Sequence, residues 1–175
     1  YGMLYGVRAF VPRMIDQGTP GHVVNVASLG GVVEAIDSYH VSKHATVALS
    51  ESLYHDLADT AAQIGVSVFM PGLVDTELYR AEDARPDRFA TDTTPIDPDY
   101  DYEDWREMFN TLGIPIADAV DILFEGIARE KLYIGPIAFQ KQGPGILDAI
   151  RARATNITSE RNPDHPRDLG PTTSA

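Results

Sequence analysis

Tyr39 and Lys43 stand four positions apart in Tyr39-His40-Val41-Ser42-Lys43, and Ser28 precedes the tyrosine by eleven positions. These three residue types can together move a proton at a carbonyl or alcohol carbon. On a helix, residues four apart share a face, with Cβ atoms roughly 5–6 Å apart, so the ammonium can reach the neighbourhood of the phenol. An isolated phenol, with a pKa of about 10, is a poor general base near neutrality. A nearby positive charge favours the phenolate and brings such a group toward working pH. Ser28, at the end of a strand-like run, can donate a hydrogen bond to a substrate oxygen as charge develops there. Each part alone has an ordinary explanation, because Tyr-x-x-x-Lys recurs on amphipathic helices and a serine at a strand end is commonly a turn residue. The ordered combination of strand, serine, Gly30-Gly31, short loop and Tyr-x-x-x-Lys opening a long helix points to catalysis.

The elements that must position this set follow from periodicity. Leu4, Val7, Val11 and Met14-Ile15 recur at helical spacing, predicting a helix over 1–17 that ends at Gly18-Thr19-Pro20-Gly21. The run 23–27 is short and apolar, as a strand covered on both faces should be. Residues 39–63 read as one helix, with Ala45, Leu49, Leu53 and Leu57 on one stripe. A second buried strand over 66–70 is closed by Pro71-Gly72. A helix between two such strands implies parallel pairing. Prolines at 86, 95 and 98 forbid a continuous helix beyond it. Shorter helices are predicted at 104–112, 117–130 and 146–154, with a last strand at 131–134. From residue 155 the chain is rich in Pro, Thr, Asp and Arg without periodicity and reads as a disordered tail, 155–175, after a single catalytic unit, 1–154. No internal repeat is visible.

Composition restricts the function classes. A length of 175 residues and 43% hydrophobic content suit one globular domain. The formal net charge of −12 argues against nucleic acid as a partner, because phosphate binding needs clustered Lys and Arg. Much of the acidity lies in 82–107, where solvated surface explains it. The chain has no cysteine, which removes disulfides and thiolate chemistry and fits the cytoplasm. No apolar run is long enough for a membrane span, and no segment reads as a signal peptide. His40 and His44 have a zinc-compatible spacing, but Val41 stands where a metalloprotease helix has Glu. A serine hydrolase elbow also fails, because Val26 stands two positions before Ser28. His55, Asp56 and Asp59 read as surface or capping residues of the long helix.

At Ser28, Tyr39 and Lys43 the chain resembles the short-chain dehydrogenase/reductase family. The likeness extends from Tyr1 to about Arg153 and includes Pro71-Gly72-Leu73-Val74-Asp75-Thr76, similar to the family's Pro-Gly turn after a strand. It implies an α/β fold, the C-terminal half of a Rossmann-type, doubly wound parallel sheet. It also implies NAD or NADP as cofactor and a small-molecule alcohol or carbonyl substrate. By similarity, Ser28 polarises the substrate oxygen, Tyr39 is the acid/base, and Lys43 lowers the tyrosine's pKa and holds the nicotinamide ribose. Pro71, Gly72, Val74 and Thr76 would meet the nicotinamide amide or adjacent phosphates. The family's variable substrate-covering region falls on 73–112, so Phe89, Tyr100, Tyr102, Trp105 and Met108 are candidate pocket or lid residues. The alternative for these aromatics is packing of the loop on the core. The family commonly dimerises through the equivalents of the helices 1–17 and 39–63, which implies a homodimer or homotetramer.

Two departures accompany the likeness. The interval from Ser28 to Tyr39 is slightly shorter than the family's, which predicts a tighter loop over 32–38. The family's Gly-rich first βα turn, which lets the backbone approach a pyrophosphate, has no counterpart: Gly30-Gly31 lacks a third glycine and Gly143-Pro144-Gly145 follows no phosphate-binding strand. With Tyr1 at its start, the simplest expectation is the C-terminal part of a longer protein. The isolated chain would then expose a strand edge, dissolve poorly and fail to bind a dinucleotide. Asn25 reads as a structural residue of its strand. Two other readings stay open: a non-catalytic fragment or interaction module without cofactor binding, and an epimerase or dehydratase of the same superfamily, which usually carries a larger C-terminal substrate domain.

Overall fold

The computed structural model describes residues 1–78, 80, 86, 88, 102–136, 139 and 145–163. Helix α1 (Gly2–Gln17) leads to strand β1 (Gly21–Val26), a short 3-10 turn (Leu29–Gly31) and helix α2 (Ser38–Ala58). Strand β2 (Ile64–Phe69) follows, then α3 (Tyr102–Leu112), α4 (Ile116–Ala128), the two-residue β3 (Tyr133–Ile134) and α5 (Ile146–Thr158). Among the described residues the sheet is three-stranded and parallel, in the order β1-β2-β3. Gly18 closes α1 as the glycine signal predicts, with φ +64° and its N–H donating to Ile15 O. Glycine reaches that left-handed conformation without a Cβ penalty.

β2 is the central strand, and its residues after Gly65 are all buried. The core divides along its length. Its amino half, Ile64 and Val66, packs with Val11, Leu53 and Leu57. Its carboxyl half, Val68 and Phe69, packs with Val47, Ala119, Ile134 and Phe139. Leu29 belongs to this second cluster, so the segment that follows β1 is anchored where β2 ends. Asn25 acts structurally: its Nδ2 donates to Ser50 Oγ at 3.0 Å, and Ser50 Oγ donates to Thr46 O at 2.7 Å, tying β1 to α2 inside the core.

Several expectations shift. α2 stops at Ala58, not at 63, because Thr60 turns back onto Leu57 O with both its N–H (3.0 Å) and its hydroxyl (2.7 Å) and ends the helical ladder. The stripe Ala45, Leu49, Leu53, Leu57 is also inexact. Steps of four advance about 40° beyond a full turn, so the row drifts around a 3.6-residue helix. Ala45 is accordingly exposed, and Thr46, Val47, Ser50, Leu53 and Leu57 form the buried face. Only Asn25 of β1 is buried and Val26 is 49% exposed, so the strand is covered less than expected; among the described residues it also has a strand neighbour on one side only, as the expected open edge requires. α5 continues through Thr158, so the segment expected to lack order from residue 155 begins as helix. The remainder of that expected tail, from 164 on, lies outside the described residues.

Candidate active site

The local sequence explains how the Ser28 segment is held. Ser28 caps the 3-10 turn, and its Oγ accepts from Gly30 N at 3.1 Å. The next residue, Leu29, donates its N–H to Pro71 O at 3.0 Å, which joins the segment after β1 to the Pro71-Gly72 segment after β2. Gly31 allows the turn to lie against α2, since a Cβ there would come within 2.8 Å of Lys43 O and 3.0 Å of Val47 Cγ2. Beyond Gly72, the backbone of Leu73 and Asp75 brackets Ile114 through two hydrogen bonds of 3.1 and 2.9 Å, fixing Val74 and Thr76 beside the start of α4.

These segments surround a cavity of about 1030 Å³ outside the carboxyl ends of β1 and β2, the place where open parallel sheets bind ligands. Ser28, Tyr39, Pro71, Gly72, Val74 and Thr76 all line it, so six of the seven residues singled out from the sequence share one wall system. Lys43 does not line it. It lies one turn further along α2, with Nζ 5.5 Å from the centroid of the Tyr39 ring. Partial burial pushes the Lys43 ammonium below its ordinary range, because desolvation penalises the charged form.

Most of the remaining lining is apolar and comes from elements far apart in sequence. Trp105 and Phe109 project from α3, Val120 and Leu123 from α4, and Ile146 and Ala149 from α5. Trp105 therefore takes the position expected of it. Met108 does not: it faces a shallow groove with Asp104, Glu107, Thr111 and Leu112, because on α3 it is rotated about 100° from Phe109. Phe89, Tyr100 and the side chain of Tyr102 lie outside the described residues.

Two polar residues of the cavity wall, Asp37 and His40, were not expected there from the sequence. Asp37 is the N-cap of α2, its Oδ1 accepting from His40 N at 2.9 Å and meeting His40 Nδ1 at 2.6 Å. Those contacts, the backbone one foremost, hold the Asp37 carboxyl below its usual range. The signal was present as an Asp three residues before a polar side chain at a helix start. His44 Nδ1–H donates to His40 O at 2.9 Å, and among the described residues its Nε2 is buried without a hydrogen-bond partner.

The profile of the family described as short chain dehydrogenase matches residues 1–87. The chain belongs to the short-chain dehydrogenase/reductase family. It is 31% identical over 161 residues to a CLA biosynthesis dehydrogenase/reductase of Lactiplantibacillus plantarum, covering 87% of this chain and 54% of that protein. It is 43% identical over 108 residues to 1-deoxy-11-beta-hydroxypentalenate dehydrogenase of Streptomyces avermitilis, covering 61% of this chain and 37% of the relative. A crystal structure of a short-chain dehydrogenase/reductase from Burkholderia phymatum in complex with NAD superposes with a TM-score of 0.81 and 32% identity, covering 94% of this chain and 58% of that one. The chain thus spans about half the length, or less, of the relatives it matches. In this short-chain dehydrogenase/reductase the Pro71-Gly72 backbone, the Thr76 hydroxyl and Tyr39 share one wall at the β2 exit, with Lys43 behind the tyrosine, and these are the groups that could hold the nicotinamide end of a dinucleotide. Among the described residues no helix is long and apolar enough to cross a membrane.

Proposed function

We propose that the intact protein is an NAD- or NADP-dependent oxidoreductase that interconverts a secondary alcohol and a ketone or aldehyde. The observation that carries this reading is the convergence of Ser28 and Tyr39 on one cavity with Pro71, Gly72, Val74 and Thr76. Tyr39 is the acid/base that exchanges the proton with the substrate oxygen. Ser28 orients that oxygen: its Oγ accepts from Gly30 N, which leaves its O–H available to donate to the substrate. Lys43 places a positive charge beside the tyrosine ring, where it stabilises negative charge developing on the phenol oxygen. Tyr39 and Lys43 would hold the nicotinamide ribose, and Pro71, Gly72, Val74 and Thr76 the nicotinamide amide or neighbouring phosphates. When bound, the cofactor supplies or takes up the hydride. The NAD bound to the Burkholderia phymatum relative supports this cofactor class.

The largely apolar cavity favours a bulky, largely apolar substrate. Exposed apolar side chains on α1 and α2, including Tyr5, Phe10 and Val41, support assembly as a homodimer or homotetramer. The test is Tyr39→Phe in the intact protein, which should lower kcat by roughly 10²–10⁴-fold without changing the melting temperature. Ser28→Ala should cost about 10²–10³-fold. Turnover near the wild-type level in Tyr39→Phe rules the assignment out.

A further inference from the structure

Ser28 and Tyr39 are both committed to the reacting oxygen, yet the cavity presents another polar side chain beside them. His40 lines the cavity one residue after Tyr39, with the two rings edge-to-face, centroids 5.7 Å apart and planes at 88°. Asp37 fixes how that imidazole is presented. A carboxylate only accepts hydrogen bonds, so the 2.6 Å contact requires the proton on His40 Nδ1. Nε2 is then the ring atom left for a ligand. It lies on the edge of the ring turned to Gly30: a Cβ on Gly30 would stand 3.3 Å from Cδ2 and 3.6 Å from Nε2, so any side chain there would press against that edge. The His40 side chain is 18% exposed, which is enough to meet a ligand and little enough that leaving Nε2 against an apolar surface costs free energy.

We propose that His40, oriented by Asp37, is a specificity-determining residue that selects substrates carrying a hydroxyl close to the reacting carbon. The proposal rests on the reading of Tyr39 as acid/base and deepens it, since it names the chemistry of the substrate next to the carbonyl. An apolar wall accepts any molecule of suitable size. A site with one polar atom set in such a wall rejects the analogue that leaves that atom unpaired. The substrate class is therefore a bulky apolar ketone or alcohol with a hydroxyl on the neighbouring carbon, whose O–H donates to Nε2.

Benzoin and deoxybenzoin share a skeleton and differ by one hydroxyl on the carbon beside the ketone, so they serve as probes. Reduction of each by the intact protein with NADH and NADPH gives kcat/KM, and wild type should favour benzoin by at least about tenfold. His40→Leu should bring the ratio close to one, chiefly by raising KM for benzoin, and His40→Gln, which keeps a hydrogen-bonding atom near the Nε2 position, should restore part of the preference. Asp37→Ser retains a good N-cap while removing the contact to Nδ1, so it should lower the ratio with the helix start intact. An unchanged ratio in both His40→Leu and Asp37→Ser overturns the proposal. Equal losses on both probes also overturn it, because they mark a structural role. Deoxybenzoin reduction that survives Tyr39→Phe removes the acid/base reading instead. Failure of wild type to reduce either ketone removes both.

Discussion

The Nζ atom of Lys43 stands 5.5 Å from the centroid of the Tyr39 ring, one helical turn away on α2 and off the cavity wall. Two effects compete at that ammonium. Attraction to the ring face favours the charged form by about 0.5–1 kcal/mol at such a distance. Partial burial favours the neutral form and wins, so the amine titrates below its ordinary value. Competitive acetylation of the intact protein with acetic anhydride, read peptide by peptide across pH, should give Lys43 a midpoint below about 10.4. An activity that needs the ammonium then declines on the alkaline side over the same window. A midpoint at or above the free-lysine value contradicts the desolvated setting.

Gly31 gives a second test, because it sets how closely the Ser28 turn approaches α2. Gly31→Ala puts a methyl group against backbone that cannot move aside, within 2.8 Å of Lys43 O. The turn must shift, at a cost of about 1–3 kcal/mol in stability. Ser28 shifts with it relative to Tyr39, and misplacement on this scale lowers kcat by up to about 10²-fold. Gly2→Ala, whose added Cβ meets nothing within 4 Å, is the control. Equal activity in the two variants would show that the turn does not set the geometry.

Ser28, Tyr39 and the Pro71-Gly72 turn were legible in the sequence because their signals are local. A strand, a turn and a helix follow one another within a few residues, and each carries its own period. The helix ends were less legible, since the Thr60 hydroxyl that stops α2 competes with a helical pattern running on past it. Trp105 was found because the family resemblance places a substrate-covering region on 73–112. Phe109, Ile146 and Ala149 were not, because only tertiary packing brings α3 and α5 to the ends of β1 and β2. The exposure of Val26 on β1 was missed for a related reason. An apolar run shows that a strand could be covered, and says nothing of whether a neighbour covers it.

Self-association can be checked directly. Tyr5 and Phe10 of α1 are 62% and 63% exposed, and Val41 of α2 is 62% exposed, more apolar surface than water contact favours on two helices. Sedimentation of the intact protein at micromolar concentration should give a dimer or tetramer, and Phe10→Glu should shift it toward a smaller species by placing a charge in the contact. A wild-type protein that sediments as a strict monomer excludes this surface as an interface.

The last prediction concerns pH and the strand end remote from the cavity. His22 Nε2 meets Ser67 Oγ at 2.8 Å, and Ser67 Oγ donates to Lys131 O at 2.7 Å, so the imidazole carries its proton on Nε2. The ring lies over Gly65, its register partner on β2, where a Cβ would collide with it. Burial lowers the His22 pKa, and the charge of Glu130 offsets this only in part. In the unfolded chain the imidazole titrates at about 6.5. Below that pH the unfolded state binds more protons than the folded one, so stability rises with pH through this window. The contribution is complete above about pH 6.5 and is lost as pH falls through the lowered folded value. Urea unfolding of the intact protein between pH 7.5 and 5 should show a steeper acid loss for wild type than for His22→Gln, which keeps a donor for Ser67 but does not titrate. Identical pH slopes in the two proteins would show that His22 is protonated as readily in the fold as out of it.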